Sequence, residues 1–246
     1  MSTYGEQVTT ALPLFPLSAV LFPGLVMPLH VFEERYRTLV RDLLSQPEDT
    51  AREFGVVAIQ RGWEVAANRP SAGGRARAAA EADTGVTLYE VGCTAEVRRI
   101  TRRKDGAYDL VTVGRRRFEI ARMVPAGTPY LQAEVRYLPE ETGADGDADR
   151  LGPRVLSAFR TYLRAVNTGS GDVGEQLPDD PLVLSHLVAA TAALTLADRQ
   201  RLLAIPDTAA RLRAELVLLH REVTLLRHVR AVPVALSELP VRPGSN

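Results

Sequence analysis

Few residues of this chain have the types and spacing that catalysis needs. Lys104 is the only lysine, and nucleotide hydrolysis by P-loop proteins needs a lysine in the pattern G-x-x-x-x-G-K-[ST]. No such loop precedes Lys104, which lies between Arg103 and Asp105. A solvated lysine in this setting stays protonated, so it is a poor base for a serine–lysine hydrolase. We therefore expect neither of these two activities.

The serines and the single cysteine also lack the setting of a nucleophile. No serine lies in a G-x-S-x-G elbow, so Ser18, Ser157 and Ser185 are interpreted as structural residues. Cys93 lies on the apolar side of an alternating segment, where a buried structural thiol is expected. The sequence therefore predicts no catalytic residue.

The four histidines are not spaced as metal ligands. They are His30, His186, His220 and His228, and none belongs to an H-E-x-x-H pattern. His220 and His228 would lie roughly 80° apart around a helix, so they would not share one face. We expect no metal site and no bound cofactor.

Composition limits the partners and the compartment. Among 246 residues, 30 Lys and Arg balance 30 Asp and Glu, so no overall field attracts nucleic acid or an anionic membrane. No apolar run approaches the roughly 20 residues of a membrane helix, and residues 1–14 do not have the pattern of a signal peptide. One cysteine excludes an internal disulfide. We expect a cytoplasmic protein without membrane contact, for which nucleic acid is not the main partner.

The first part of the chain has the pattern of a β-rich domain over residues 10–138. Alternating apolar residues and turn signals predict short strands, and Asp105-Gly106 predicts a hairpin between two long ones. Helical spacing predicts one early helix over Phe32–Leu44. The predicted strands are Leu12–Leu17, Phe54–Ile59, Val86–Arg103, Ala107–Arg122 and Tyr130–Tyr137. The apolar run Val20–Val31 is broken by a turn signal at Pro23-Gly24, and Pro28 in that run indicates an edge position.

The second part, residues 150–231, is predicted to be a helical bundle. Its helices are predicted at Leu151–Val166, Pro181–Leu194, Leu196–Ala204 and Asp207–Ala231. Residues 66–85, 139–149 and 168–180 have the Gly-rich or acidic composition of flexible connections. In the last helix, apolar residues from Leu212 to Leu226 repeat at spacings of four and three, which is typical of a packing seam.

Several segments together resemble the Lon N-terminal, substrate-binding domain family. They are Leu12–Leu17, Pro23–Gly24 with Pro28–Tyr36, Val91–Val97, and Asp105–Gly106 through Gly114–Phe118. The resemblance covers about residues 10–231 and implies an α+β fold, with a PUA-like β pseudo-barrel followed by a C-terminal helical bundle. It also implies recognition of unfolded or tagged proteins. The sequence ends at Asn246, so we expect a stand-alone form that lacks the ATPase and peptidase domains.

Protein or peptide binding, without enzymatic activity, is therefore the first functional hypothesis, with a role in protein quality control. Its clients would be unfolded or peptide-like segments. The candidate contacts are Phe32, Arg35, Tyr36 and Trp63, because aromatic residues and arginine dominate protein interfaces. Phe32 and Tyr36 also fit the core face of the early helix.

Two alternatives stay open. An RNA-binding module would gather Arg98, Arg102, Arg103, Arg115 and Arg117 into one anionic-ligand patch, although no aromatic residues for base stacking are interleaved among them. A solvated hairpin edge explains the same arginines. An adaptor would dock on a separate protease or ATPase through its last helix, and burial of the Leu212–Leu226 seam would remove its main support.

Overall fold

The computed structural model describes residues 9–47, 50–61, 86–125, 127–143, 146–166 and 177–231. They form seven β-strands, which are β1 (Thr10–Leu17), β2 (Val26–Val31), β3 (Glu53–Arg61), β4 (Thr87–Leu88), β5 (Val91–Arg102), β6 (Tyr108–Val124) and β7 (Gln132–Tyr137). The five α-helices are α1 (Glu34–Leu44), α2 (Asp147–Val166), α3 (Pro181–Thr191), α4 (Leu196–Ala204) and α5 (Thr208–Ala231).

The strands close into a pseudo-barrel. Their order is β1-β7-β6-β5-β3, and the ring closes because β1 also pairs with β3, in parallel. β2 lies outside the ring on β6, and β4 lies beside β3. With one early helix and four later ones, the predicted combination of a PUA-like pseudo-barrel and a helical bundle is confirmed.

The long hairpin forms at the predicted turn. Gly106 has a φ of +83°, a backbone conformation that glycine adopts without strain, and the Arg103 N–H donates to the Ala107 carbonyl over 2.8 Å. The predicted strand Val86–Arg103, however, is broken at Tyr89 and Glu90. Both halves pair with β3, but only the half from Val91 onward, β5, also pairs with β6.

Helix α1 shares an apolar cluster with the strands of the barrel. Its residues Tyr36, Leu39, Val40 and Leu43 are buried at the three-and-four spacing that places them on one face. The helix begins at Glu34, two residues later than predicted, because Glu33 is extended, with ψ at 135°. Phe32 therefore lies outside the helix.

The four later helices share a core with the barrel. One apolar cluster joins Ala58 of β3 and Phe22 of the β1–β2 connection to Phe159, Leu184 and other helical residues. In the last helix, the seam residues Leu212, Leu219 and Val223 are buried, and Leu216 and Leu226 are half-buried. The division into domains at 10–138 and 150–231 stays a prediction.

The predicted connections are described only in part. Residues 66–85 and most of 168–180 lie outside the described residues. In the segment 139–149, Glu141 bridges to Asp207, and α2 already begins at Asp147. Among the described helices, none has the length and apolarity to cross a membrane.

Candidate protein-binding surface

Strand β2 turns one row of side chains toward the core and the other toward solvent. Met27, Leu29 and Val31 pack against the cluster that includes α1. Between them Val26, Pro28 and His30 are exposed, as the period of two in a strand requires. Val26 is 62% exposed, which is high for a valine in a sheet. Within the described residues β2 pairs only with β6, so the prediction of an edge position for Pro28 agrees with the structure.

The exposed row continues across β6. Val26 lies opposite Val113 and Pro28 opposite Val111, and directly opposed residues of antiparallel strands share one face. Val111 and Val113 are half-exposed. Phe32 extends the row beyond the end of β2, since its ring stacks on His30 with 6.0 Å between centroids. We define Val26, Pro28, His30, Phe32, Val111 and Val113 as the β2 face.

Charged pairs border the β2 face. Glu96 accepts from Arg98 and Arg115 over 3.0 and 2.7 Å. Asp109 lies 2.7 Å from His30 and 2.6 Å from Arg103. The hydrogen bonds from His30 and Arg103 lower the pKa of Asp109. Three arginines at the border, Arg98, Arg103 and Arg115, therefore already have carboxylate partners.

The structure separates the four predicted protein contacts. Phe32 is 61% exposed, whereas Tyr36 is 5% exposed and stacks on Phe15 with 4.0 Å between ring centroids. A buried ring cannot contact a client, so the prediction for Tyr36 is corrected. Arg35 lies over the Tyr36 ring and pairs with Glu33 over 2.8 Å, and Trp63 lies outside the described residues.

The predicted anionic-ligand patch is also divided. Arg98, Arg102, Arg103 and Arg115 are exposed, but Arg117 is fully buried. Its guanidinium donates to Glu140 over 2.6 Å and to the carbonyls of Pro139, Leu203, Ile205 and Pro206 over 2.6 to 3.0 Å. All five of its N–H groups are thereby used. Arg117 therefore joins the barrel to the helical part. The prediction that it belongs to the anionic-ligand patch is wrong.

A second buried arginine, Arg211, lies beside the contacts of Arg117. Arg211 donates to Ser185 Oγ over 2.9 Å and lies 3.5 Å from Glu140. Burial opposes the charge of Glu140, but the hydrogen bonds from His186 and Arg117 lower its pKa to about 2. Burial lowers the pKa of His186, which favours its neutral form. We define Arg117, Glu140, Ser185, His186 and Arg211 as the junction cluster.

The residues considered for chemistry do not form a reactive centre within the described part of the chain. Burial raises the pKa of the Cys93 thiol, which keeps it in the unreactive protonated form. Lys104 is exposed at the hairpin turn, and Ser185 donates to the Leu182 carbonyl. Across the described ranges, no three His, Cys, Asp or Glu residues come together as metal ligands.

Sequence reasoning overlooked Val26 and His30. The signal was present, because alternation over Val26–Val31 places Val26, Pro28 and His30 on one face. Both faces of the segment are largely apolar, so the sequence did not show which face would be covered by α1.

The sequence matches the family described as "ATP-dependent protease La (LON) substrate-binding domain" over residues 11–221. Similar proteins include "Lon protease 2" of Syntrophobacter fumaroxidans, 27% identical over 211 residues, and "Lon protease 2" of Herpetosiphon aurantiacus, 28% identical over 221 residues. The alignments cover 84% and 89% of this chain, but 24% of each relative. The chain thus spans about a quarter of their length.

Two solved structures share the fold. The Lon N-terminal domain protein from Xanthomonas campestris has a TM-score of 0.55 at 24% identity, with 85% of this chain and 98% of that chain covered. The N-terminal domain of Mycobacterium avium complex Lon protease has a TM-score of 0.56 at 18% identity, with 87% and 98% covered. At these identities the likeness establishes the fold alone.

Proposed function

The chain belongs to the Lon substrate-binding domain family, and we propose that it recognises exposed apolar segments of unfolded proteins through the β2 face. The observation that carries the proposal is the exposure of Phe32 and Val26, at 61% and 62%, at the two ends of one row that also contains the exposed residues Pro28 and His30. Contiguous apolar surface on a folded protein marks sites of interaction. Unfolded clients expose the apolar side chains that would cover it.

The border of the β2 face supports protein clients over polyanions. Arg98, Arg103 and Arg115 each share a carboxylate, so their charge is compensated locally. An RNA strand would have to compete with Glu96 and Asp109 for these guanidinium groups. A peptide can instead cover the apolar centre and leave the ion pairs at a solvated rim, as protein interfaces commonly do.

The proposal includes three statements about the whole protein. It has no catalytic centre of its own, it acts in protein quality control, and it supplies clients to a separate protease. We also place it in the cytoplasm, where a chain whose one cysteine is the buried Cys93 needs no disulfide. The seam of α5 gives the adaptor alternative little support, because Leu212, Leu219 and Val223 are buried against the chain itself.

Client binding can be tested with a reduced, carboxymethylated model protein as the unfolded probe. The double variant Val26→Ser, Phe32→Ser should bind it roughly tenfold more weakly or worse, since central apolar contacts dominate interface energy. Val217→Ser is a matched control, because Val217 is 69% exposed on α5, away from the β2 face. The measurement is fluorescence anisotropy with a labelled client at low and moderate salt.

An RNA oligomer serves as the competing ligand. The proposal expects client binding that persists at moderate salt and that RNA does not displace. Tight RNA binding that collapses as salt rises would favour the RNA-binding alternative. Equal client binding by the wild type and the double variant would remove the β2 face from the proposal.

A further inference from the structure

The sheet opens between β4 and the last residues of β6. β5 begins its pairing with β6 at Val91, which lies opposite Glu119, and the Ile120 N–H donates to the Glu90 carbonyl over 2.8 Å. Before Val91 the chain turns away, and Leu88 pairs with Ile59 of β3. β6 nevertheless continues to Val124 beside β7. Among the described residues, no strand borders the other edge of residues 121–124.

A groove of about 630 Å³ fills this opening, a size within the range of ligand sites. Apolar residues from both sides line it, namely Leu88, Tyr89, Val91, Ile120 and Met123. Helix α4 forms a wall with Gln200, Arg201 and Ala204. Within the part of the chain that the structure describes, the groove thus combines an unpaired strand edge with an apolar lining.

Gln200 adds a polar group that points to a ligand with N–H donors. It is 4% exposed, and its Nε2 donates to the Val91 carbonyl over 2.7 Å. Its Oε1 is buried and has no hydrogen-bond partner among the described residues. Buried acceptors in folded proteins are nearly always satisfied. Gln200 lines the groove, so an N–H group bound there is the kind of donor that this acceptor lacks.

The two arginines at the groove do not select an anionic ligand, and the third charged residue of the lining, Glu90, does not favour an anion either. Arg122 already pairs with Glu134, and Arg201 pairs with Asp198. Recognition must then come from the backbone edge and the apolar lining. An extended polypeptide has both complementary features, because its backbone can pair with a strand edge while alternate side chains enter apolar pockets.

We propose that this groove binds an extended segment of the client as an added strand beside Ala121–Val124 of β6. The inference rests on the proposed client recognition and deepens it, because it names a second site and the conformation that the client adopts there. The segment is uncharged and rich in β-branched apolar residues. The β2 face then holds one part of an unfolded chain and the groove another.

Backbone pairing can be tested with a labelled peptide of alternating valine and threonine. Two further peptides carry N-methyl groups at the odd or at the even positions, which removes the N–H donors along one edge of the strand at a time. Binding to the wild-type protein should weaken roughly tenfold or more in at least one methylated register. If neither register weakens, backbone pairing in the groove is overturned.

The place of binding is tested with Met123→Glu, which puts a charge in the apolar lining, and Val217→Glu is its matched control on α5. Met123→Glu should abolish peptide binding and leave the unfolding midpoint close to the control's. If the peptide binds Met123→Glu as it binds the wild type, the groove is not the site. If the unliganded protein forms dimers that Met123→Glu dissociates, the edge serves self-association and the proposal is overturned.

The two proposals fail in different ways. A wild-type protein that binds neither the carboxymethylated client nor the peptide contradicts both. Client binding that depends on Phe32 but not on Met123 contradicts the groove alone and leaves client recognition intact.

Discussion

The junction cluster and the border of the β2 face use the same residue types in opposite settings. Three consecutive arginines of β6 illustrate this. Arg115 is exposed and pairs with Glu96, Arg116 lies 3.8 Å above the Tyr137 ring, and Arg117 is fully buried against Glu140 and four carbonyls. The difference shows that the surroundings, and not the residue type, decide whether an arginine serves structure or surface.

The exposed and the buried arginines should also differ strongly in their contribution to stability. An exposed ion pair is worth little, because water and salt screen it. A buried guanidinium is costly to desolvate, but removal of its partner leaves an uncompensated charge in the interior. The junction cluster should therefore be sensitive to single substitutions, whereas the border of the β2 face should tolerate them.

The largest expected effect is at Arg117. Arg117→Met should lower the free energy of unfolding by about 3–5 kcal/mol, because Glu140 and the carbonyls lose their shared donor. Arg115→Met should change it by less than about 0.5 kcal/mol. Urea unfolding of both variants measures the contrast, with Arg117→Lys as a variant that keeps one charge if Arg117→Met does not fold. Equal losses of stability at the two positions would show that burial does not distinguish Arg117 from Arg115.

The second largest effect is a pH dependence of the free energy of unfolding, which comes from Glu140. Its pKa is lowered from 4.5 to about 2 in the folded protein, so its ionised form stabilises the fold above about pH 4.5, and this contribution is lost as pH falls toward 2. After allowance for partial exposure, Glu140→Gln should cost about 1–3 kcal/mol at pH 7. The loss should shrink between pH 4.5 and 2 in urea titrations. A loss that is constant with pH would mean that the carboxylate charge does not contribute.

The pH dependence of stability at Glu215 should have the opposite sign to that at Glu140. Burial raises its pKa well above 4.5, with Arg211 opposing the shift, and neither carboxyl oxygen has a hydrogen-bond partner among the described residues. The folded state keeps this proton while the unfolded state releases it above about pH 4.5, so Glu215 lowers stability as pH rises. Glu215→Gln should therefore gain stability relative to the wild type between pH 4.5 and 7.5. A difference that does not vary with pH would show that Glu215 does not titrate in this range.

Local patterns predicted most of the fold, but not where its parts meet. The Asp105–Gly106 turn, the helical spacing after Phe32 and the four later helices all follow from short-range rules. The break at Tyr89 and Glu90 was missed, because it depends on where a distant strand joins the segment: both halves pair with β3, but only β5 also pairs with β6. The burial of Arg117 was missed for the same reason, since its partners at Leu203, Ile205 and Pro206 are distant in sequence.

The features of the candidate surfaces also divide into those that local sequence predicts and those that depend on tertiary structure. The sequence by itself determined the order of strands and helices, the hairpin, the family resemblance and the choice of Phe32 as a candidate contact, because these depend on residue type and spacing along the chain. Only the tertiary structure decided that Tyr36 is core, that Arg117 joins the two parts, and that no strand of the described residues pairs with β6 beside Gln200. Burial and strand pairing are properties of segments far apart in sequence, and spacing along one segment does not reveal what covers it.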